Sequence, residues 1–280
     1  QIREDLASFT KDICAVVKEC SPETVVSLQN GPNGPYTGYG HGYLFDAMYQ
    51  STGHAPNYRP GAGGYSDHNP NDIVEKAYDL AHQCSMLPDY VKRIYPEIEN
   101  MPKNAMGKSM AGTAFESTLY LASGMTDLSY AMLGDFDEPF SFYEQGFELF
   151  SAHHAYWEHL AKISEYSKAG GICYAESKKL HLQKLAPDDD MRSFNKQHFT
   201  GANMLLRNGL PLTFGESSTY ILHPDVAKRM NTDELKTLLS RNVLTDAESV
   251  EYVQSLGIDL GFELVPATAA QSLVTREAYT

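Results

Sequence analysis

Cysteine is scarce in this chain of 280 residues, with four in all. Cys14, Cys20, Cys84 and Cys173 are too few and too scattered for a disulfide framework. No Cys-x-x-Cys pair supports a structural zinc site, so they read as buried thiols. Positive charge is scarce as well. Against 36 acidic side chains stand 22 lysines and arginines, a formal charge of −14. A nucleic-acid surface needs a basic stripe, which this balance does not supply, and a neutral or cationic ligand fits better than a phosphate-rich one. Long apolar runs are missing too: none approaches the ~18 residues of a membrane span, so no membrane partner is expected. No signal-peptide pattern opens the chain, whose first residues are amphipathic and charged. The compartment stays open, with a periplasmic or secreted setting slightly favoured. Internal repeats and low-complexity tracts are also absent.

What is present belongs to a folded protein. With 42% hydrophobic and 21% charged residues, the chain is neither a disordered tail nor a coiled coil, and its length suits one to two domains. Ile2, Leu6, Phe9, Ile13, Val16 and Val17 recur at helical spacing over residues 2–20. A β-branched run at 24–28 then predicts a strand that ends at Asn30-Gly31-Pro32. A short helix is expected over 43–49, followed by a second strand, without set bounds, that Arg59 follows. A long helix capped by Asn71 follows, with Ile73, Ala77, Leu80 and Ala81 on one face. Residues 93–100 alternate, with Tyr95, Glu97 and Glu99 on one side and Ile94, Pro96 and Ile98 on the other. Helices over 111–123 and 140–167 flank a strand over 126–133. Such alternation specifies a parallel sheet with crossover helices. A second, smaller α/β set restarts near Gly171: strands over 171–175 and 211–214, helices over 191–208, 232–240 and 247–255. The expected units are 1–167 and 168–280.

The strongest chemical signal is Glu97-Ile98-Glu99-Asn100. Two carboxylates at i and i+2 face the same way on a strand, and like charges that close suit acid–base chemistry. In parallel α/β architectures ligands sit at the carboxyl ends of strands. Arg59, Asp67 and His68 follow the earlier strand to the same rim, Asn30 ends the first strand and Tyr130 lies on the last. Tyr36 and further tyrosines crowd the rim loops, and aromatic faces beside carboxylates and amides suit sugar rings. Other motifs fail. Gly107-Lys108-Ser109 ends like a phosphate-binding loop, but Pro102 stands where its first glycine belongs. The stretch Gly107-Lys108-Ser109-Met110-Ala111 approaches a nucleophile elbow after a poor strand, leaving a serine hydrolase through Ser109 as one alternative. His153, His154 and His159 lack a carboxylate at zinc-ligand spacing, so neither metal nor cofactor is called for. Gly171-Ile172-Cys173-Tyr174-Ala175 is like a cysteine elbow, but no histidine follows His223 and no His-x-Glu pair exists.

The order of elements resembles the C-terminal half of a clan A glycoside hydrolase (β/α)8 barrel, nearest to family 42 β-galactosidases. Ile98-Glu99-Asn100 has the form of that family's seventh strand end, and residues 119–130 resemble the lead into an eighth strand. The stretch Ala155-Tyr156-Trp157-Glu158-His159-Leu160 resembles the aromatic-rich helix that leads out. The restart near Gly171 resembles the flavodoxin-like, amidotransferase-like domain that follows such barrels and carries homo-oligomer contacts. The resemblance implies a retaining glycosidase with a carbohydrate substrate, Glu99 as nucleophile and Glu97 as its neighbour. Its second carboxyl group belongs to an Asn-Glu pair on the fourth strand, and no Asn-Glu dipeptide occurs here. The expectation is therefore a fragment carrying the nucleophile half of the site, with strands one to four upstream of Gln1. The other alternative is a non-catalytic carbohydrate-binding or scaffold protein with a degenerate site.

Overall fold

Helix and strand alternate from the first residue. The computed structural model describes residues 1–30, 40–61, 65–69, 71–99, 107–134, 137–167, 170–175, 205–206 and 208–265. The first set runs α1 (Ile2–Cys20), β1 (Ser27–Gln29), α2 (Gly42–Thr52), β2 (Asn57–Arg59), α3 (Asn71–Ser85), β3 (Glu97–Glu99), α4 (Met110–Ala122), β4 (Ser129–Ala131) and α5 (Glu144–Tyr166). The second set is β5 (Ile172–Tyr174), β6 (Leu212–Thr213), β7 (Thr219–Leu222), α6 (Pro224–Ala227), α7 (Thr232–Leu239), β8 (Asn242–Thr245) and α8 (Ala247–Ser255). The protein is a mixed α/β fold whose sheets are parallel throughout the described residues.

β1 pairs with β2 and β3 with β4. The lead into β3 joins these pairs: Tyr58 N donates to Arg93 O at 2.9 Å, and Tyr95 N donates to Tyr58 O at 3.0 Å. The four strands thus lie side by side in sequence order. Paired residues in a parallel ladder point to the same side, so the registers Leu28↔Tyr58 and Ile98↔Tyr130 define one face. Helices cover that face. Ile98 packs with Ala77, Leu80, Tyr120 and Met125, and Tyr58 packs with Phe45 and Val91. The opposite face carries Ser27, Gln29, Asn57, Arg59, Glu97, Glu99 and Ser129. It is polar and incompletely covered, its residues ranging from half-buried to exposed.

The second sheet has the order β6-β5-β7-β8. Ala175, Leu222, Leu235 and Val253 centre one of its cores. Another core joins the two sets, with Tyr78 of α3 clustering with Tyr174, Leu205 and Ile221. Phe214 meets the rings of Tyr78 and His82 at centroid distances of 4.6 and 4.8 Å.

Several expectations shift. The strand expected over 126–133 narrows to Ser129–Ala131, because Thr126 and Asp127 both donate to the single carbonyl of Ile94 before the ladder begins. The helix expected over 140–167 divides into a 3-10 turn (Phe140–Phe142) and α5. Buried Tyr143 stands at the break, its hydroxyl accepting from Gly134 N. The helix expected over 191–208 lies outside the described residues except for helical Leu205 and Leu206 and for Asn208, which is in a turn. β7 and β8 were not expected. Among the described residues no helix is long and apolar enough to cross a membrane.

Candidate functional site

β3 carries the carboxylate pair, and alternation along the strand sets its direction. Ile98 goes into the helix layer with no exposed surface, which turns Glu97 and Glu99 to the polar face. Arg59, one strand away on the same face, forms an ion pair with Glu97, and its Nη1 donates to Gln29 Oε1 at 3.1 Å. Both partners of the ion pair keep about a fifth of their side-chain surface exposed (22% and 21%). The Glu99 carboxylate has no ion pair or hydrogen bond among the described residues.

Beneath β3 lies a group that the sequence reading passed over. Lys76 of α3, Lys108 before α4 and Glu116 of α4 are buried together, with side chains 3%, 0% and 0% exposed. Lys76 Nζ donates to Glu116 Oε1 at 2.8 Å and to the Glu97 carbonyl at 3.1 Å. Lys108 Nζ donates to Glu116 Oε2 and, at 3.1 Å, to the Glu99 carbonyl. The Tyr120 hydroxyl completes the shell by donating to Glu116 Oε1. Lys76 lies over the Tyr120 ring and Lys108 over the Tyr65 ring. Burial pulls the Lys108 ammonium below its ordinary range, with Glu116 opposing the shift. Burial, and then Glu116, hold the Tyr120 phenol well above its ordinary range. One signal was available: Glu116 is the lone charged residue in the helix Met110–Ala122.

A second buried network ties the ends of β1 and β2 to α3. Asn30 Nδ2 bonds His41 Nε2 at 3.0 Å and Gln83 Oε1 at 3.4 Å. Gln83 also accepts from the Tyr58 hydroxyl at 2.7 Å, and its Nε2 donates to Asp79 Oδ2 and Gly61 O. With Asn30 as the donor, His41 Nε2 is an acceptor and the ring is neutral. Burial, aided by Arg3, lowers the His41 pKa to about 4.

The other expected rim residues divide. Arg59 stands at a strand end on the carboxylates' face, whereas Asn30, in step with Leu28, turns its side chain to the helix side and bonds His41 and Gln83. Asp67 and His68 are exposed, Asp67 Oδ2 accepting from Ser109 N at 2.8 Å and His68 meeting Ser66 Oγ. Tyr36 lies outside the described residues. Tyr130 is on the other face: paired with Ile98, it bonds Ser117 Oγ through its hydroxyl and stacks on Phe150 at 5.2 Å. There it lines a cleft of about 620 Å³ with Leu121, Leu128, Phe150 and Trp157. Its place on the strand was read correctly, but the period of two turns it away from Glu97 and Glu99. Ser109 caps α4, its Oγ accepting from Gly112 N at 2.9 Å. Among the described residues no three His, Cys, Asp or Glu side chains gather in a way that could hold a metal ion. Comparison with protein-family models, with curated proteins and with solved structures finds no match.

Proposed function

We propose that the four-strand array carries the nucleophile half of a retaining glycoside hydrolase site for a neutral sugar. Glu99 is the nucleophile, and Glu97 is its Arg59-paired neighbour. One observation carries the reading: a carboxylate with no partner among the described residues stands at the strand end of an all-parallel array, on its polar face, beside one already neutralised by arginine. A retaining mechanism needs a second carboxyl group ~5–5.5 Å away. Glu97 is committed to Arg59, and the strands offer no third carboxylate on this face among the described residues. On this reading the acid/base lies outside the described strands.

The array suits the latter half of an eight-stranded barrel. Parallel sheets are normally covered on both faces, and here the incompletely covered face would become the barrel interior. Four strands come with five helices, α1–α5. Eight of each close a barrel, so its complement is four strands and three helices. The order β6-β5-β7-β8 suits the doubly wound arrangement of an amidotransferase-like unit, through which copies of the chain would associate. For the array alone, the want of an uncommitted second carboxylate on this face of the described strands favours sugar binding without turnover as the second reading.

The test uses 2-deoxy-2-fluoro glycosides with a dinitrophenolate leaving group, in gluco and galacto configurations. Such a group departs without acid assistance, so the chain can be glycosylated as it stands. Mass spectrometry is expected to find one fluoroglycosyl group on Glu99, and none in Glu99→Gln. A label on another residue, or no label, overturns the reading.

A further inference from the structure

Glu97 and Glu99 are aimed by their backbone, and that backbone is held from below by two ammonium groups. Each buried lysine reaches the carbonyl of a different carboxylate-bearing residue: Lys76 that of Glu97, Lys108 that of Glu99, both at 3.1 Å. Glu116 links the lysines by accepting from one on each carboxylate oxygen. Carbonyls of a parallel strand ordinarily bond their neighbours in the ladder. Two lysines buried to do the same task are expensive, since each ammonium leaves water. A sheet needing only to hold together would not require them. Their anchors come from three places, α3, the segment before α4, and α4 itself. The clamp thus fixes the end of β3 relative to the two helices that flank it.

We infer that Lys76 and Lys108, bridged by Glu116, are positioning residues that set the direction of Glu97 and Glu99 through their carbonyls. This rests on the glycosidase reading, for which direction matters: misplacement of a reacting group by about 1 Å can cost about 100-fold in rate. The pairing is specific. Losing Lys108 releases the Glu99 carbonyl and leaves Lys76 and Glu116 as a balanced pair. Losing Lys76 releases the Glu97 carbonyl and leaves Lys108 and Glu116.

The experiment combines two measurements on the full chain. Carbonyl ¹³C signals of Glu97 and Glu99 report the hydrogen bonds, and the rate of Glu99 labelling by the fluoroglycosides reports its aim. In Lys108→Met the Glu99 carbonyl signal is expected to move while that of Glu97 stays, and labelling slows about 10- to 100-fold. In Lys76→Met the pattern is expected to reverse, the Glu97 signal moving and the Glu99 signal staying. The second variant keeps the clamp testable should the first fail to fold. Unmoved signals, or a moved Glu99 signal with an unchanged labelling rate, overturn the inference. If the wild-type chain takes no label, the glycosidase reading falls, and the carbonyl signals alone still decide whether the clamp exists.

Discussion

Two lysines sharing one carboxylate make an unequal trio, and the inequality has measurable consequences. Removing Glu116 as an acceptor leaves two buried ammonium groups without a counter-charge, whereas removing either lysine leaves one balanced pair. Breaking a buried ion pair from one side costs about 3–5 kcal/mol. Glu116→Gln is therefore expected to lose about that much, and Lys76→Met or Lys108→Met clearly less, in urea unfolding. Equal losses in all three would contradict the shared-carboxylate arrangement. His41 supplies a prediction in pH. Its pKa in the fold, about 4, lies below the ordinary 6.5. As pH falls below 6.5 the unfolded chain binds a proton that the fold refuses, so this contribution to stability is complete above about 6.5. It declines toward about 4 and then levels off. At 1.36 kcal/mol per unit, the loss approaches about 3 kcal/mol. Urea midpoints measured between pH 7 and 4 should show it, and His41→Gln should flatten the slope. An unchanged slope in that variant would place the acid sensitivity elsewhere.

At the scale of elements, caps decide where helices begin, and two of them can be tested without touching the carboxylates. Asn231 and Glu234 form a reciprocal capping box on α7, and Asn231→Ala should cost about 1 kcal/mol. Ser109→Ala should cost a similar amount through the lost Gly112 N–H bond. It should leave fluoroglycoside labelling intact, and the wild-type serine should not react with a fluorophosphonate probe. Capture of that probe at Ser109 would revive the hydrolase alternative. The order of elements through α5 was legible because apolar spacing at 3.6 and 2.0 distinguishes α1 and α3 from the stretch around β3. The face of Glu97 and Glu99 followed from the same alternation. Tyr130 was misplaced because position along a strand was read without its register, which the pairing with Ile98 supplies. Lys76 went unseen for a different reason. On an amphipathic helix a lysine reads as solvent-facing, and only the fold brings Glu116, 40 residues later, against it.

For the molecule as a whole, the uncovered surfaces are as informative as the core. α1 packs on α2 but leaves Ile2, Leu6, Phe9, Ile13 and Val16 exposed along one side. These positions recur at three- and four-residue steps, so they form a continuous apolar stripe rather than scattered hydrophobes. The helix that carries the stripe belongs to the same array, whose polar face is incompletely covered among the described residues, and the outer edges of β1 and β4 are unpaired among them. Stripe, face and edges are all accounted for if this array is completed by further strands and helices. The stripe alone gives a prediction that does not depend on what completes it. Phe9 and Val16 are 62% and 59% exposed, so replacing them with Lys and Glu removes apolar surface that holds little of the fold together. Phe9→Lys with Val16→Glu should leave the urea midpoint within about 0.5 kcal/mol of the original. It should also reduce binding of a hydrophobic dye and concentration-dependent association in sedimentation. A large loss of stability would mean that the stripe is packed in solution, and the array would then be closed by contacts of its own.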